Sequence, residues 1–311
     1  MVNAKEKAKE QGFYGRSSDI SASEYPYASN YLEVDGGHRM HYVDEGDGEP
    51  VIMIHGNPSW SFYYRNLIGR LSGEFRSIAF DHIGCGLSDK PDEDEYDYIF
   101  RRRLDDLDAF LSEVVDEEEL NLVMHDWGGM IGMAWAVRNP ERVKSLVLLN
   151  TAAFHLPESK RLPMSLWLAR NTGLGAFLVK RFNAFSRGAV RFCVTDKMSD
   201  EVARGYRAPY EGRQDRIATL RFVQDIPLEP GDRGYELVSE TEEKLSSLSD
   251  RPILIGWGHK DFVFDSHFLE RWRQIYPDAE YVEYPDAGHY VLEDRSEELG
   301  GEIERFLAVS A

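Results

Sequence analysis

The sequence predicts an α/β fold: a mostly parallel central sheet flanked by helices, with an inserted helical cap. Three observations predict it. Short apolar runs of the buried-strand type recur at Pro50–His55, Ser77–Asp81, Asn121–Met124, Val143–Asn150 and Pro252–Gly256, with helical periodicity between them, as in Phe100–Val115 (Leu104, Leu107, Phe110, Leu111, Val114). From about Phe154 to Arg233 the strand-like runs stop and helix-like segments follow one another. The stretch LVMHDWGGMIGMAW, Leu122–Trp135, reads as strand, sharp turn and helix packed around a single aspartate.

Taken in order, residues 1–30 show no clear period and are expected to form a loosely held arm, packed down by Tyr25, Tyr27 and Tyr31. YLEVDGGHRMHYVDEG, from Tyr31, alternates about a turn at Asp35-Gly36-Gly37 and predicts a hairpin. The apolar run PVIMIH then leads into HGNPSW, His55–Trp60, and the run ending at Asp81 leads into DHIGCGLSDKP. That loop has glycines but lacks the Lys-Ser/Thr of a phosphate-binding loop, so nucleotide binding is excluded. LPMSLWLAR, GLGAFLVKRFNAF and Arg216–Gln224 predict cap helices, whose Trp167, Phe177, Phe182, Phe185 and Phe222 are expected to be core or pocket lining. After PILIG come GHKD, a last strand at Ala279–Glu283, PDAGHYVLED, and a closing helix to about Phe306. The expected organisation is an arm at 1–30, a core from 31–153 and 234–311, and a cap at 154–233.

Chemistry gathers at strand ends. Asp126 occupies the tip of the turn after Asn121–Met124, and Gly128 and Gly129 let a helix start close to its strand. The helix N-terminus aims unpaired N–H groups and its positive dipole end at that position. Serine usually stands there. An aspartate, with an unperturbed pKa near ~3.9, is already ionised and attacks without a base, forming an ester with an electrophilic carbon. Capping the helix is the simpler role for an Asp there, but the rest of the chain argues for more. Asn57 places a backbone N–H, with its side-chain amide nearby, at the carboxyl end of a neighbouring strand; with the N–H of Trp127 it makes a pair of donors. Asp261 and His289 also follow strands, giving the chain order nucleophile, acid, histidine. Asp265 is a rival acid, farther from its strand end.

Totals bound the rest. The chain has 311 residues, 42% of them hydrophobic, enough for a large core. Lys plus Arg number 36 against 55 Asp plus Glu, a net charge of −19 that excludes a nucleic-acid footprint. Cys85 and Cys193 cannot form a disulfide framework and nothing suggests a metal site. The start, MVNAKEKAKEQ, has no apolar signal region, and no run reaches the roughly 18–20 apolar residues of a membrane span, so a cytoplasmic protein with at most transient membrane contact is expected.

HGNPSW, DHIGCGLSDKP, HDWGG, GHKD and DAGHYVLED resemble the haloalkane dehalogenase family of α/β-hydrolases, from about Tyr31 to Leu307. The resemblance implies Asp126 as nucleophile, His289 as base and Asp261 as acid, with Asn57 and the Trp127 indole N–H holding the departing group. Two features depart from common patterns: Asn150, not an acid, ends the earlier strand, as in subgroups with a late acid, and Met124 stands two before the nucleophile, where glycine is frequent. NTAAFHLP, RFNAFSRGA, YRAPYEGRQDRIATLRFVQDIPLEP, DFVFDSHFL and HYVLED are similar, within that family, to the cis-β-lactone decarboxylases of bacterial long-chain olefin biosynthesis. The resemblance implies a small hydrophobic substrate, no cofactor, and association with other olefin-pathway enzymes. Hydrolysis of haloalkanes to alcohol and halide is the alternative expectation. An epoxide hydrolase would need acids such as Tyr206 and Tyr210 in the cap, and a non-catalytic binding protein of this fold would be expected to lack a member of the triad.

Overall fold

Parallel strands cannot be joined by tight turns, so each pair needs a crossover, and the alternation of apolar runs with helices supplies them. The computed structural model describes residues 20–310. Eight strands, β1 (Asn30–Val34), β2 (His38–Glu45), β3 (Glu49–Ile54), β4 (Phe75–Phe80), β5 (Leu120–Asp126), β6 (Val143–Thr151), β7 (Ile253–Gly258) and β8 (Glu280–Tyr284), form one sheet in the order β1-β2-β4-β3-β5-β6-β7-β8. The β1–β2 hairpin and its junction with β4 are antiparallel, and every other pair is parallel. The central strands β3, β5, β6 and β7 are buried almost throughout, which is why they read as unbroken apolar runs.

The helices are α1 (Arg65–Leu71), α2 (Phe100–Val114), α3 (Trp127–Ala136), α4 (Met164–Asn171), α5 (Gly173–Phe182), α6 (Ala184–Phe192), α7 (Asp200–Arg207), α8 (Ile217–Gln224), α9 (Tyr235–Lys244), α10 (Ser266–Ile275), α11 (Val291–Asp294) and α12 (Ser296–Ser310). One face of the sheet is covered by α2, α3, α9 and α10, the other by α1, α11 and α12. Helices α4 to α8 are all inserted between β6 and β7, and a small apolar cluster of Leu166, Ala169, Val179, Leu220 and Val223 ties α4, α5 and α8 together. Because the chain moves from β3 outward to β4 and then returns to pair β5 on β3's other side, the loops after β3 and β5 meet at a topological switch point, where such sheets bind ligands.

Of the expected arm, residues 1–19 lie outside the described residues. Tyr25 is buried, its hydroxyl sharing a 2.6 Å hydrogen bond with Ser61 Oγ, and the Tyr27 hydroxyl donates to the Arg65 carbonyl. Tyr31 instead belongs to β1, partly exposed beneath the Arg39 guanidinium. GLGAFLVKRFNAF is not one helix: Asn183 turns left-handed at φ 53° and separates α5 from α6, a conformation asparagine tolerates, with its amide bonded to the Tyr210 carbonyl. Helix α7 is capped by Ser199 and opens on Asp200 and Glu201, a Ser-Asp-Glu helix-start pattern. Of the five cap aromatics, Phe222 is buried and Phe185 lines a cavity, but Trp167, Phe177 and Phe182 stand about half exposed. Helical periodicity alone does not say which face of a helix is covered, so that expectation is corrected.

The tightest junction is between β5 and α3. A Cβ at Gly128 would stand 1.9 Å from the Ile54 carbonyl oxygen of β3. Gly128→Ala is therefore expected to lower the unfolding free energy by about 1–3 kcal/mol, as overpacked cores do, measured by urea denaturation; an unchanged midpoint would mean α3 can back away from the sheet.

Candidate active site

Strand β5 runs straight into Asp126, which takes φ 54° and ψ −129° before α3 begins at Trp127. Such a backbone is costly for a residue with a side chain and needs support from its surroundings. Support comes from two backbone donors: the Trp127 N–H at 2.6 Å and the Asn57 N–H at 2.9 Å both bind Asp126 Oδ1. The Thr151 hydroxyl donates to the Asp126 carbonyl oxygen from β6. Met124, unusual at its position, fits because Gly132 faces it; a Cβ there would lie 2.3 Å from its sulfur.

The second carboxylate oxygen, Oδ2, is left facing His289, whose Nε2 lies 3.4 Å away. His289 Nδ1 is 2.8 Å from Asp261 Oδ2. Asp261 is fixed in turn by the Val263 N–H at 2.7 Å and by Asn150 Nδ2 at 3.0 Å, while Asn150 Oδ1 accepts the Gly258 N–H. Asp265 turns elsewhere: it caps α10 and pairs with Lys160 and His267. Asn150, next to last in β6 and at φ 34°, therefore bonds Asp261 rather than merely standing where an early acid would be. Sequence reasoning noted its position and missed this contact.

His125 is a second side chain whose part went unread. Its Nε2–H donates to the His289 carbonyl at 2.9 Å, and its ring lies 4.4 Å from that of Tyr63 and 4.6 Å from that of His289. Burial, reinforced by the neighbouring His289 charge, pushes it down to about 3, so it stays neutral and serves as a prop for the loop carrying His289. His289 moves the other way. Burial alone would lower it, but the charge of Asp261 and the bonds to Asp126 and Asp261 outweigh burial and raise it to about 10. Burial would likewise raise Asp126, yet the bond and charge of His289, with the Asn57 N–H, hold its carboxyl below the ordinary value. Both shifts favour the carboxylate–imidazolium form of the pair.

Asn57, Trp127, Asp126 and His289 all line one cavity of about 290 Å³. Its other walls are mostly apolar, including Met130, Phe154, Leu166, Phe185, Val223 and Phe264, drawn from the core and the inserted helices together. The Asn57 side-chain amide does not face Asp126; it donates to the Thr219 carbonyl of α8 at 3.0 Å, coupling the loop after β3 to the inserted helices. The Trp127 ring is packed beside Phe100 and Phe222. Tyr206 and Tyr210 are buried outside the cavity, the first bonded to Glu293 and the second to the Ser59 carbonyl, so neither is placed to protonate an opened epoxide there.

A fixed carboxylate in an apolar chamber, with a histidine–aspartate pair behind it and backbone donors beside it, is the arrangement of an α/β-hydrolase site. The alpha/beta hydrolase fold family matches residues 49–296. The chain is 53% identical over 283 residues to the cis-3-alkyl-4-alkyloxetan-2-one decarboxylase of Shewanella oneidensis, covering 91% of this chain and 89% of that one. It is 46% identical to the protein of the same name from Xanthomonas campestris, covering 91% and 97%. The crystal structure of the haloalkane dehalogenase DbeA from Bradyrhizobium elkani superposes with a TM-score of 0.81 at 26% identity, over 91% of this chain and 98% of that one. The chain belongs to the haloalkane dehalogenase family of α/β-hydrolases.

A histidine raised in the folded state adds stability that is complete below its unfolded value, near ~6.5, and is lost as pH rises through about 10. Wild-type protein should therefore lose unfolding free energy between neutral pH and pH 10, and His289→Gln should lose less over the same window, read from urea titrations at a series of pH values. Parallel curves would contradict the ion-pair assignment.

Proposed function

We propose that this protein is a cis-3-alkyl-4-alkyloxetan-2-one decarboxylase, turning long-chain cis-β-lactones into cis-alkenes and carbon dioxide. The observation that carries the choice of substrate is the 53% identity, over 91% of the chain, to a relative of that name, against 32% over 91% of the chain to Haloalkane dehalogenase 2 of Mycobacterium bovis. The chemistry then follows from this chain's own residues. Asp126 Oδ2, the oxygen not held by backbone donors, attacks the ring carbon that bears the alkoxy oxygen. That carbon–oxygen bond breaks, relieving ring strain, and the substrate's carboxylate is released while an aspartyl ester forms. The carbon–carbon bond to the carboxylate then breaks, its electron pair forms the alkene, and the ester carbon–oxygen bond returns its pair to Asp126. No water enters, and Asp126 ends as it began.

Stereochemistry fits this route. In the lactone ring the two breaking bonds lie on the same side. Attack with inversion puts the new ester bond opposite the carbon–carboxylate bond, with both alkyl chains still on one side, so collapse gives the cis alkene without rotation. The apolar walls have two uses: they accept the alkyl chains, and they favour a transition state in which carboxylate charge is dispersing. Throughout ring opening one negative charge replaces another, from Asp126 to the released carboxylate. His289 can then remain an imidazolium held by Asp261, with no proton to move. In the dehalogenase alternative halide departs instead, and His289 must lose its proton to activate water.

On this reading residues 154–233 act as a cap on a core of 31–153 and 234–311, with the backbone N–H groups of Asn57 and Trp127 stabilising the charge that returns to Asp126. The enzyme is cytoplasmic and works beside other enzymes of olefin formation; no described helix is long and apolar enough to cross a membrane. Offered a long-chain cis-β-lactone and, separately, 1-bromo- and 1-iodoalkanes, purified protein should give alkene from the lactone and only weak halide release. Fast halide release with the lactone untouched would overturn the proposal. Asn57→Ala keeps the backbone N–H that binds Asp126 and removes only the bond to the Thr219 carbonyl, so it should lower turnover by no more than roughly tenfold, about 1.4 kcal/mol, with the fold intact by circular dichroism; a loss of roughly 10²–10³ would place the side-chain amide among the donors to the reacting groups.

A further inference from the structure

The substrate and product of the proposed reaction are nearly insoluble in water, and the surface around the cavity has a composition unlike the rest of the chain. Residues 160–195 contain seven Lys and Arg and not one Asp or Glu, in a chain with 55 acidic residues and a net charge of −19. The same stretch forms α4, α5 and α6 and carries six of the exposed large apolar side chains: Met164 at 76% exposure, Trp167, Leu174, Phe177, Phe182 and Phe192 at 68%. The surface of a water-soluble domain rarely gathers so many without a use for them.

Charge and cavity are arranged together there. On α6, Ala184, Gly188 and Phe192 line the cavity, one helical turn apart, and Ala184 and Phe192 are also open to solvent, as is Ser165 of α4. These residues mark its mouth. Arg187 and Arg191, again one turn apart, flank that stripe, and both are exposed. Arg161, Arg181, Arg187 and Arg191 have no carboxylate partner among the described residues, whereas the neighbouring Lys160, Arg170 and Lys180 are paired with Asp265, Asp232 and Glu93. The Arg181 and Arg191 guanidiniums lie over the rings of Phe182 and Phe192. Free cations beside exposed aromatics, on one acid-free segment, are the composition of a surface that rests in an anionic lipid interface.

We propose that α4–α6 dock the protein on an anionic lipid surface, with the cavity mouth facing the bilayer so that alkyl-chain substrate enters, and alkene leaves, without crossing water. The rest of the surface, strongly acidic, is repelled by the same lipids, which fixes the orientation. This rests on the reading of the substrate as a long-chain lipid-like molecule, but the docking itself is tested without any substrate.

Full-length protein is mixed at low salt with vesicles of phosphatidylglycerol and phosphatidylcholine, or of phosphatidylcholine alone, and sedimented. Wild type should pellet with the anionic vesicles, and pelleting should fade as salt shortens the screening length. Each basic residue near such a surface is worth about 5-fold in partitioning, so the quadruple variant R161E/R181E/R187E/R191E should lose binding by well over tenfold. Trp167→Ala with Phe177→Ala, neither of which lines the cavity, should weaken it with all charges in place. All these side chains are exposed, and unchanged circular dichroism confirms folding. Wild type that stays in the supernatant with anionic vesicles would overturn the proposal and turn attention to an acidic protein partner. Binding that survives the quadruple variant would also overturn it. Failed lactone turnover with intact vesicle binding would count against the reaction and leave the docking standing.

Discussion

Two backbone N–H groups on one carboxylate oxygen are the constraint around which this protein is built. For the Trp127 and Asn57 donors to converge on Asp126 Oδ1, β5 must end in a left-handed aspartate, α3 must start at once, and the loop after β3 must turn back over it. The parallel pairing of β3 with β5 and the missing side chain of Gly128, against the β3 backbone, make that convergence sterically feasible. With one oxygen so occupied, the other is left alone to face His289 and the cavity. A helix N-terminus pointed at the same place favours its negative charge.

Electrostatics extend the same arrangement. Burial penalises every charge in the site, yet the charges of Asp126, His289 and Asp261 offset it, so the histidine is raised to about 10 while Asp126 is held low. Such a triad is poised for chemistry that passes one negative charge along and needs no free base. A hydrolytic fate for an ester at Asp126 would differ only in its second step, where His289 must accept a proton from water.

Much of this was legible in the sequence because it rests on local signals. Apolar runs gave the buried strands, the HDWGG turn gave the junction, and the places of Asp261 and His289 after strand ends predicted their meeting, which the structure shows at 2.8 Å. What escaped depends on contacts between distant segments. The Asn150 bond to Asp261 spans over a hundred residues, and so does the His125 bond to the His289 carbonyl. No period or spacing encodes either. The side-chain amide of Asn57 was expected at the elbow and is instead held by the Thr219 carbonyl on α8. The exposure of Trp167, Phe177 and Phe182 escaped for a different reason: a helical pattern reveals an apolar stripe but not whether anything covers it.

The central claim, attack by Asp126 followed by collapse without water, is tested most directly by rapid-quench mass spectrometry during turnover of a cis-β-lactone in oxygen-18 water. The account predicts a transient peptide containing Asp126 that carries the mass of the whole lactone, and no heavy oxygen in that peptide after many turnovers. Heavy oxygen accumulating at Asp126, or alkene forming with no adduct on that peptide, would contradict it.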